Sequence, residues 1–103
     1  MKVDDFYKFV QEEMLGPALD IMRTKGQAYS GEDDKLGNFK RIASDVKCPV
    51  DIIWYTYFTK HIDALKSYIK REYKDSEPIK GRLLDIINYA LLYAAILKER
   101  GEL

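Results

Sequence analysis

At 103 residues the chain is too short to divide into two independently buried cores, so residues 1–103 are read as a single domain. Hydrophobic residues at 47% are enough for a core, and a 33% charged fraction of mixed sign excludes a disordered polyelectrolyte. Seventeen basic and seventeen acidic residues cancel, which removes a whole-protein attraction to duplex nucleic acid.

From Val3 to about Arg23 the apolar residues Phe6, Val10, Met14, Ala18 and Met22 recur every four positions, an amphipathic helix. Gly16-Pro17 falls inside it, and the missing proline N–H predicts a kink or restart there. Thr24 to Asn38 carries three glycines, charges of both signs and no periodicity, and reads as a loop. Loops of that length in small domains are disproportionately functional. Asn38 is the expected N-cap of a short helix from Phe39 to about Val46, with Phe39, Ile42, Ala43 and Val46 on one face.

Cys48-Pro49 then breaks the chain. Val50 to about Tyr73 returns to helical spacing through Ile53, Tyr57, His61, Leu65, Tyr68 and Ile69. Ser76 is placed to cap a last helix with Glu77 and Pro78 in its first turn, and Leu84, Ile87, Leu91, Ala94 and Ala95 carry it to about Arg100, where Gly101 suits its end. The expectation is an all-α compact bundle of about four helices, one of them short. The acidic start of the chain lacks the apolar run of a signal peptide, and no stretch reaches the roughly 18 apolar residues of a membrane span. The single cysteine, Cys48, offers neither a disulfide partner nor a zinc spacing. A cytoplasmic protein with no membrane partner is expected.

Three sets of residues could carry chemistry. The Thr24–Asn38 segment brings Lys25, Tyr29, Glu32, Asp33, Asp34 and Lys35 toward a helix N-terminus, the kind of place where anions bind; its plain alternative is a solvated loop. Lys60 and His61 sit among Trp54, Tyr57, Phe58 and Tyr68, where a lone histidine is otherwise a packed core residue. Arg82, Asp85 and Asn88 interrupt the last, otherwise apolar helix, and Glu77 shares their side. A buried acid is costly unless paired or ligated, so the structural alternative is a salt bridge from Asp85 to Arg82 or Lys60. Motifs for dinucleotide binding, P-loop hydrolysis, zinc proteolysis and serine hydrolysis are absent from the sequence.

Taken in order, Lys25-Gly26 with Tyr29, Asp33, Asn38-Phe39, Ala43, Lys60-His61, then Glu77, Arg82, Asp85, Asn88-Tyr89 and Ala90 resemble the nucleotide modification associated domain family of the first type. These are small all-helical proteins common in phage genomes, and the resemblance covers about Lys25 to Leu92. It implies a role in nucleotide or modified-DNA metabolism during infection, in the host cytoplasm. The segment RLLDIINYALL is also similar to the last helix of MazG-like all-α pyrophosphohydrolases, which hold magnesium on carboxylates from two helices. The chain departs from that pattern: Gly16-Pro17 follows Glu12-Glu13, and Gly81 stands four residues before Asp85.

Three readings follow. In the first, a nucleotide or nucleotide-derived molecule is bound, with Lys25, Lys60 and Arg82 facing phosphate, Tyr29 or Phe39 stacking on a base, and Asn38, Asp85 and Asn88 making orienting hydrogen bonds. Such a protein would feed a DNA-modification pathway or sequester a nucleotide signal. In the second, Glu77 and Asp85, helped by Glu13 or Asp33, hold magnesium while His61 or a water attacks a phosphoanhydride. In the third, Tyr7, Tyr55 and Tyr93 form a helix-to-helix interface. A homo-oligomer is compatible with all three.

Overall fold

The computed structural model describes the backbone of residues 1–30 and 33–103 and the side chains of residues 1–25 and 33–103. The chain is all-α: α1 (Val3–Phe9), a π-helical segment (Val10–Leu15), α2 (Gly16–Ser30), α3 (Gly37–Val46), α4 (Val50–Ile69) and α5 (Ile79–Glu99). No strand occurs among the described residues. The first three pieces run on as one kinked helix, so the bundle has four helices with α3 the short one. Among the described residues no helix is long and apolar enough to cross a membrane.

The kink begins before Gly16-Pro17. Proline cannot donate a backbone hydrogen bond, and the turn preceding it widens so that the Gly16 N–H reaches the carbonyl of Gln11, five residues back. A Cβ at residue 16 would lie 3.2 Å from that same carbonyl oxygen, which is why glycine suits the position. The wide turn also explains the four-residue spacing. On a regular α-helix each four-residue step overshoots the stripe by about 40°. The π segment takes up that drift and leaves Val10 and Met14 both half-buried, with Gln11, Glu12 and Glu13 exposed.

The kinked helix is longer than its neighbours. At the α-helical rise Val3–Ser30 spans roughly 40 Å, in a molecule whose long axis is 45 Å. Its apolar stripe emerges from the bundle toward the N-terminus, from Ala18 at 0% exposed to Phe6 at 48% and Val3 at 70%.

The core lies between α3, α4 and α5: Leu36, Phe39, Ala43, Ile53 and Ile96 are buried together, with Trp54, Tyr89, Leu92 and Tyr93 packed against them. Trp54 stacks on Phe58 at 4.8 Å between ring centres, and its Nε1 donates to the Tyr89 carbonyl at 2.8 Å. The open end of α4 is clamped to the end of α5 because Asp51 accepts from the Tyr93 hydroxyl at 2.6 Å and from Arg100. Those donors hold the Asp51 carboxyl down to about 2. Tyr93, expected on the surface, is therefore half-buried, while Tyr7 and Tyr55 are exposed.

Several boundaries differ from the sequence expectation. The Thr24–Asn38 segment is not a loop throughout, because helical backbone continues through Gly26 to Ser30. Helix α3 starts at Gly37, before the expected cap, and Asp34 does the turning: its Oδ1 accepts from the Leu36 N–H at 2.9 Å and its carbonyl from the Gly37 N–H at 3.0 Å. Helix α4 ends at Ile69 because Arg71 adopts a left-handed conformation, with the Glu72 N–H bonded to the Ser67 carbonyl. Helix α5 starts at Ile79, after Ser76 and Pro78, and closes with Gly101 at φ +74°.

Replacing Ile96 by Ala should cost roughly 2–5 kcal/mol in urea unfolding, because the cavity opens among packed core side chains. Ile69→Ala, on a residue 67% exposed, should change stability by less than about 0.5 kcal/mol.

Candidate functional site

All four helices contribute to one pocket of about 420 Å³. Helix α2 supplies Ile21, Met22 and Lys25; the turn before α3 supplies Lys35, and its first turn Asn38 and Phe39. Helix α4 supplies Tyr57, Lys60 and His61, and α5 supplies Asp85, Asn88, Tyr89 and Leu92. Periodicity accounts for the last two sets: Tyr57, Lys60 and His61 span one turn of α4, and Asp85, Asn88, Tyr89 and Leu92 follow the i, i+3, i+4, i+7 pattern of one face of α5.

Four rings form one wall. Phe39 lies edge-on to Tyr57 at 6.3 Å and to Tyr89 at 6.2 Å, and His61 lies 5.1 Å from Tyr89. Phe39 belongs to the core, whereas Tyr57 is 41% exposed and is the ring a bound molecule could stack on. At the rim Lys25, Lys35 and Lys60 are exposed. Lys35 donates to the Met22 carbonyl and so ties the turn before α3 to α2.

The floor is polar and buried. Asn88 donates from Nδ2 to the Ala18 carbonyl at 2.8 Å, which fixes its amide orientation and leaves Oδ1 without a partner among the described residues. Asp85 pairs with neither Arg82 nor Lys60. Its neighbours are Lys25 Nζ at 3.9 Å and His61 Nδ1 at 3.5 Å. Arg82 Nη1 also approaches His61 Nδ1, at 3.2 Å. A guanidinium only donates, so Nδ1 accepts from it and the imidazole proton sits on Nε2. His61 is thus neutral, and its Nδ1 offers Asp85 no donor. Burial is the main cause that pushes its pKa below the ordinary value. Arg82 and Lys60 add to the lowering, and Asp85 and Glu77 oppose it.

Arg82, read from the sequence as facing phosphate, stands behind His61. Its Nη2 is held by Asp75 and lies 3.4 Å from Glu77 Oε2, both in the connection between α4 and α5. Asp75 is drawn below its usual carboxylate range by Arg82 first and then by the Glu77 N–H. Tyr73 closes the knot by donating to the Glu77 carbonyl at 2.6 Å.

The structure thus brings together Lys25, Asn38, Phe39, Lys60, His61, Asp85 and Asn88 from the residues singled out in the sequence. It sets Arg82 and Glu77 behind them. Tyr29 lies outside the residues whose side chains are described. Asn38 is no N-cap; its Oδ1 accepts from Arg41 at 2.6 Å. The sequence reading missed Tyr57 and Leu92 as pocket walls, because apolar and aromatic positions on an inner stripe look like core. It also missed Ile21 and Met22, whose link to Lys25 would have shown had the helix been continued through Gly26.

Glu77 and Asp85, read as magnesium ligands, face different partners, a guanidinium and a histidine. Among the described residues no three of His, Cys, Asp and Glu gather to hold a metal. The donor set does not fit a magnesium cage.

No protein-family model matches the chain, and neither the curated proteins nor the solved structures give a significant match.

His61 binds its proton more readily in the unfolded chain than in the fold, so it contributes stability above its ordinary pKa of 6.5 that is lost as pH falls through that value. The urea midpoint should therefore drop from about pH 7 to about pH 5.5, before the carboxylates titrate. His61→Gln should flatten that slope; equal slopes would show that the histidine is not neutral in the fold.

Proposed function

We propose that the chain binds a nucleotide in this pocket. The observation that carries the reading is the joining, in one pocket of about 420 Å³, of three lysines at the rim, a wall of aromatic rings and a buried hydrogen-bonding floor. A nucleotide has the matching parts: an anionic end, a planar ring and a polar ring edge. Lysine ammonium groups supply charge-assisted donors to phosphate oxygens. With Lys25, Lys35 and Lys60 positive, Asp85 negative and His61 neutral, the lining carries a net charge of two positive units, which suits a phosphate dianion.

Roles shift from the sequence expectation accordingly. Lys35 takes the place given to Arg82 beside phosphate, and Tyr57 takes the stacking place given to Phe39. Asn38, Asp85 and Asn88 keep their orienting roles. The resemblance to the nucleotide modification associated family supports the same direction, a protein that handles a nucleotide during phage infection, either for a DNA-modification pathway or by sequestering it as a signal. Binding without turnover is the better supported form, since Asp85 is the only carboxylate lining the pocket among the described residues.

The test is thermal unfolding of the purified chain against nucleoside mono- and triphosphates, with and without a magnesium chelator. Binding to the fold alone raises the midpoint, and with monophosphates the rise should survive chelation. Lys60→Ala removes an exposed charge, so it should leave the unliganded midpoint unchanged and weaken binding about tenfold, or ~1.4 kcal/mol. No shift with any nucleotide would overturn the reading.

A further inference from the structure

Among the described residues the floor of the pocket offers acceptors and no matching donors. Asp85 and Asn88 lie one turn apart on α5, 8% and 6% exposed. Asn88 has committed its only donor group to the Ala18 carbonyl, and its Oδ1 has no partner among the described residues. Asp85 is no better served. Lys25 is at the outer edge of ion-pairing distance, 3.9 Å, and itself largely exposed, while His61 offers no donor because its Nδ1 accepts from Arg82. A buried carboxylate met among the described residues only by one distant ammonium, beside a buried amide oxygen with no donor among them, is costly unless a ligand supplies the missing N–H groups.

Resting on the nucleotide reading above, we infer that these acceptors read the base and that the base is guanine. Among the common bases, guanine alone presents two adjacent donors on its pairing edge, the ring N1–H and the 2-amino group. Two parallel N–H groups match the two oxygens of a carboxylate, the geometry that makes forked pairs both strong and selective. The 2-amino group carries a second hydrogen, and that is the donor the Asn88 Oδ1 lacks. Adenine and cytosine set an amino donor beside a ring acceptor, which would bring a lone pair against Asp85. Uracil and thymine flank a single N–H with carbonyl oxygens. The aromatic wall does not distinguish bases; the N–H pattern that the site accepts is set by Asp85 and Asn88.

The experiment is calorimetric titration of the full chain with the 5′-mono- and triphosphates of guanosine, inosine, xanthosine and adenosine. Inosine differs from guanosine only by loss of the 2-amino group, and xanthosine replaces it with a carbonyl. The guanosine nucleotide should bind at least about tenfold more tightly than the inosine and adenosine nucleotides, since a site built to accept an N–H rejects the analogue without it. The xanthosine nucleotide should not bind. In Asp85→Asn, a change of nearly equal size, the guanosine preference should disappear and xanthosine should gain affinity, because the amide can donate to its carbonyl. Equal affinity for adenosine and guanosine nucleotides in the unaltered chain would overturn the guanine assignment while leaving the nucleotide reading intact. Silence with all four would overturn both. The ligand series on the unaltered chain decides the matter even if the variant fails to fold.

Discussion

The buried guanidinium of Arg82 is the constraint on which the rest of the site depends. A permanently charged group that is 7% exposed needs carboxylates, and the chain between α4 and α5 bends to bring Asp75 and Glu77 to it. That bend explains why α4 stops short and why α5 starts late. The same group faces inward to His61 and claims its Nδ1 lone pair, which leaves the histidine neutral. Asp85 is then left facing an acceptor. One cation behind the pocket thereby sets the hydrogen-bonding character of the pocket floor, although it does not line it.

Around that floor the fold divides its labour. The Trp54, Tyr93, Asp51 and Arg100 contacts hold the far ends of α4 and α5 together, and the small core of Leu36, Phe39, Ala43, Ile53 and Ile96 seats α3 on them. Helix α2 meets this unit through Ala18, which is wholly buried and whose carbonyl receives the Asn88 amide. A small residue there lets the α2 backbone approach α5 closely enough for that bond. Seating α2 in this way also carries Lys25 to the rim.

Much of the fold was legible because its helices are punctuated by chemistry that admits few alternatives: Gly16-Pro17, Cys48-Pro49 and Gly101 fall at or beside breaks and ends. The candidate site was legible where polar residues interrupt apolar faces, as Lys60 and His61 do on α4 and Asp85 and Asn88 on α5. Spacing tells which side of a helix a residue occupies, but not which neighbour it meets. Hence spacing points Arg82 at a ligand although its partners lie in the preceding connection, and puts Tyr57 on an inner stripe although it stands at the pocket mouth. Gly26 misled for a different reason. Glycine costs a helix about 1 kcal/mol relative to Ala, too little to end one whose other residues favour helix.

The wide turn at Val10–Leu15 amounts to one residue more than a regular helix would use to cover the same path. Losing any one residue from that stretch would restore ordinary α-helical winding. Everything before it would keep its present direction, so Val3 and Phe6 would stay on the line that Ala18 and Met22 define. A residue lost from this stretch is therefore absorbed by the change in winding, whereas one lost from the regular turns of α1 would turn everything before it by about 100°. The wide turn thus works as a slack link, the one stretch of the long helix where a residue can be lost while the apolar stripe keeps its line.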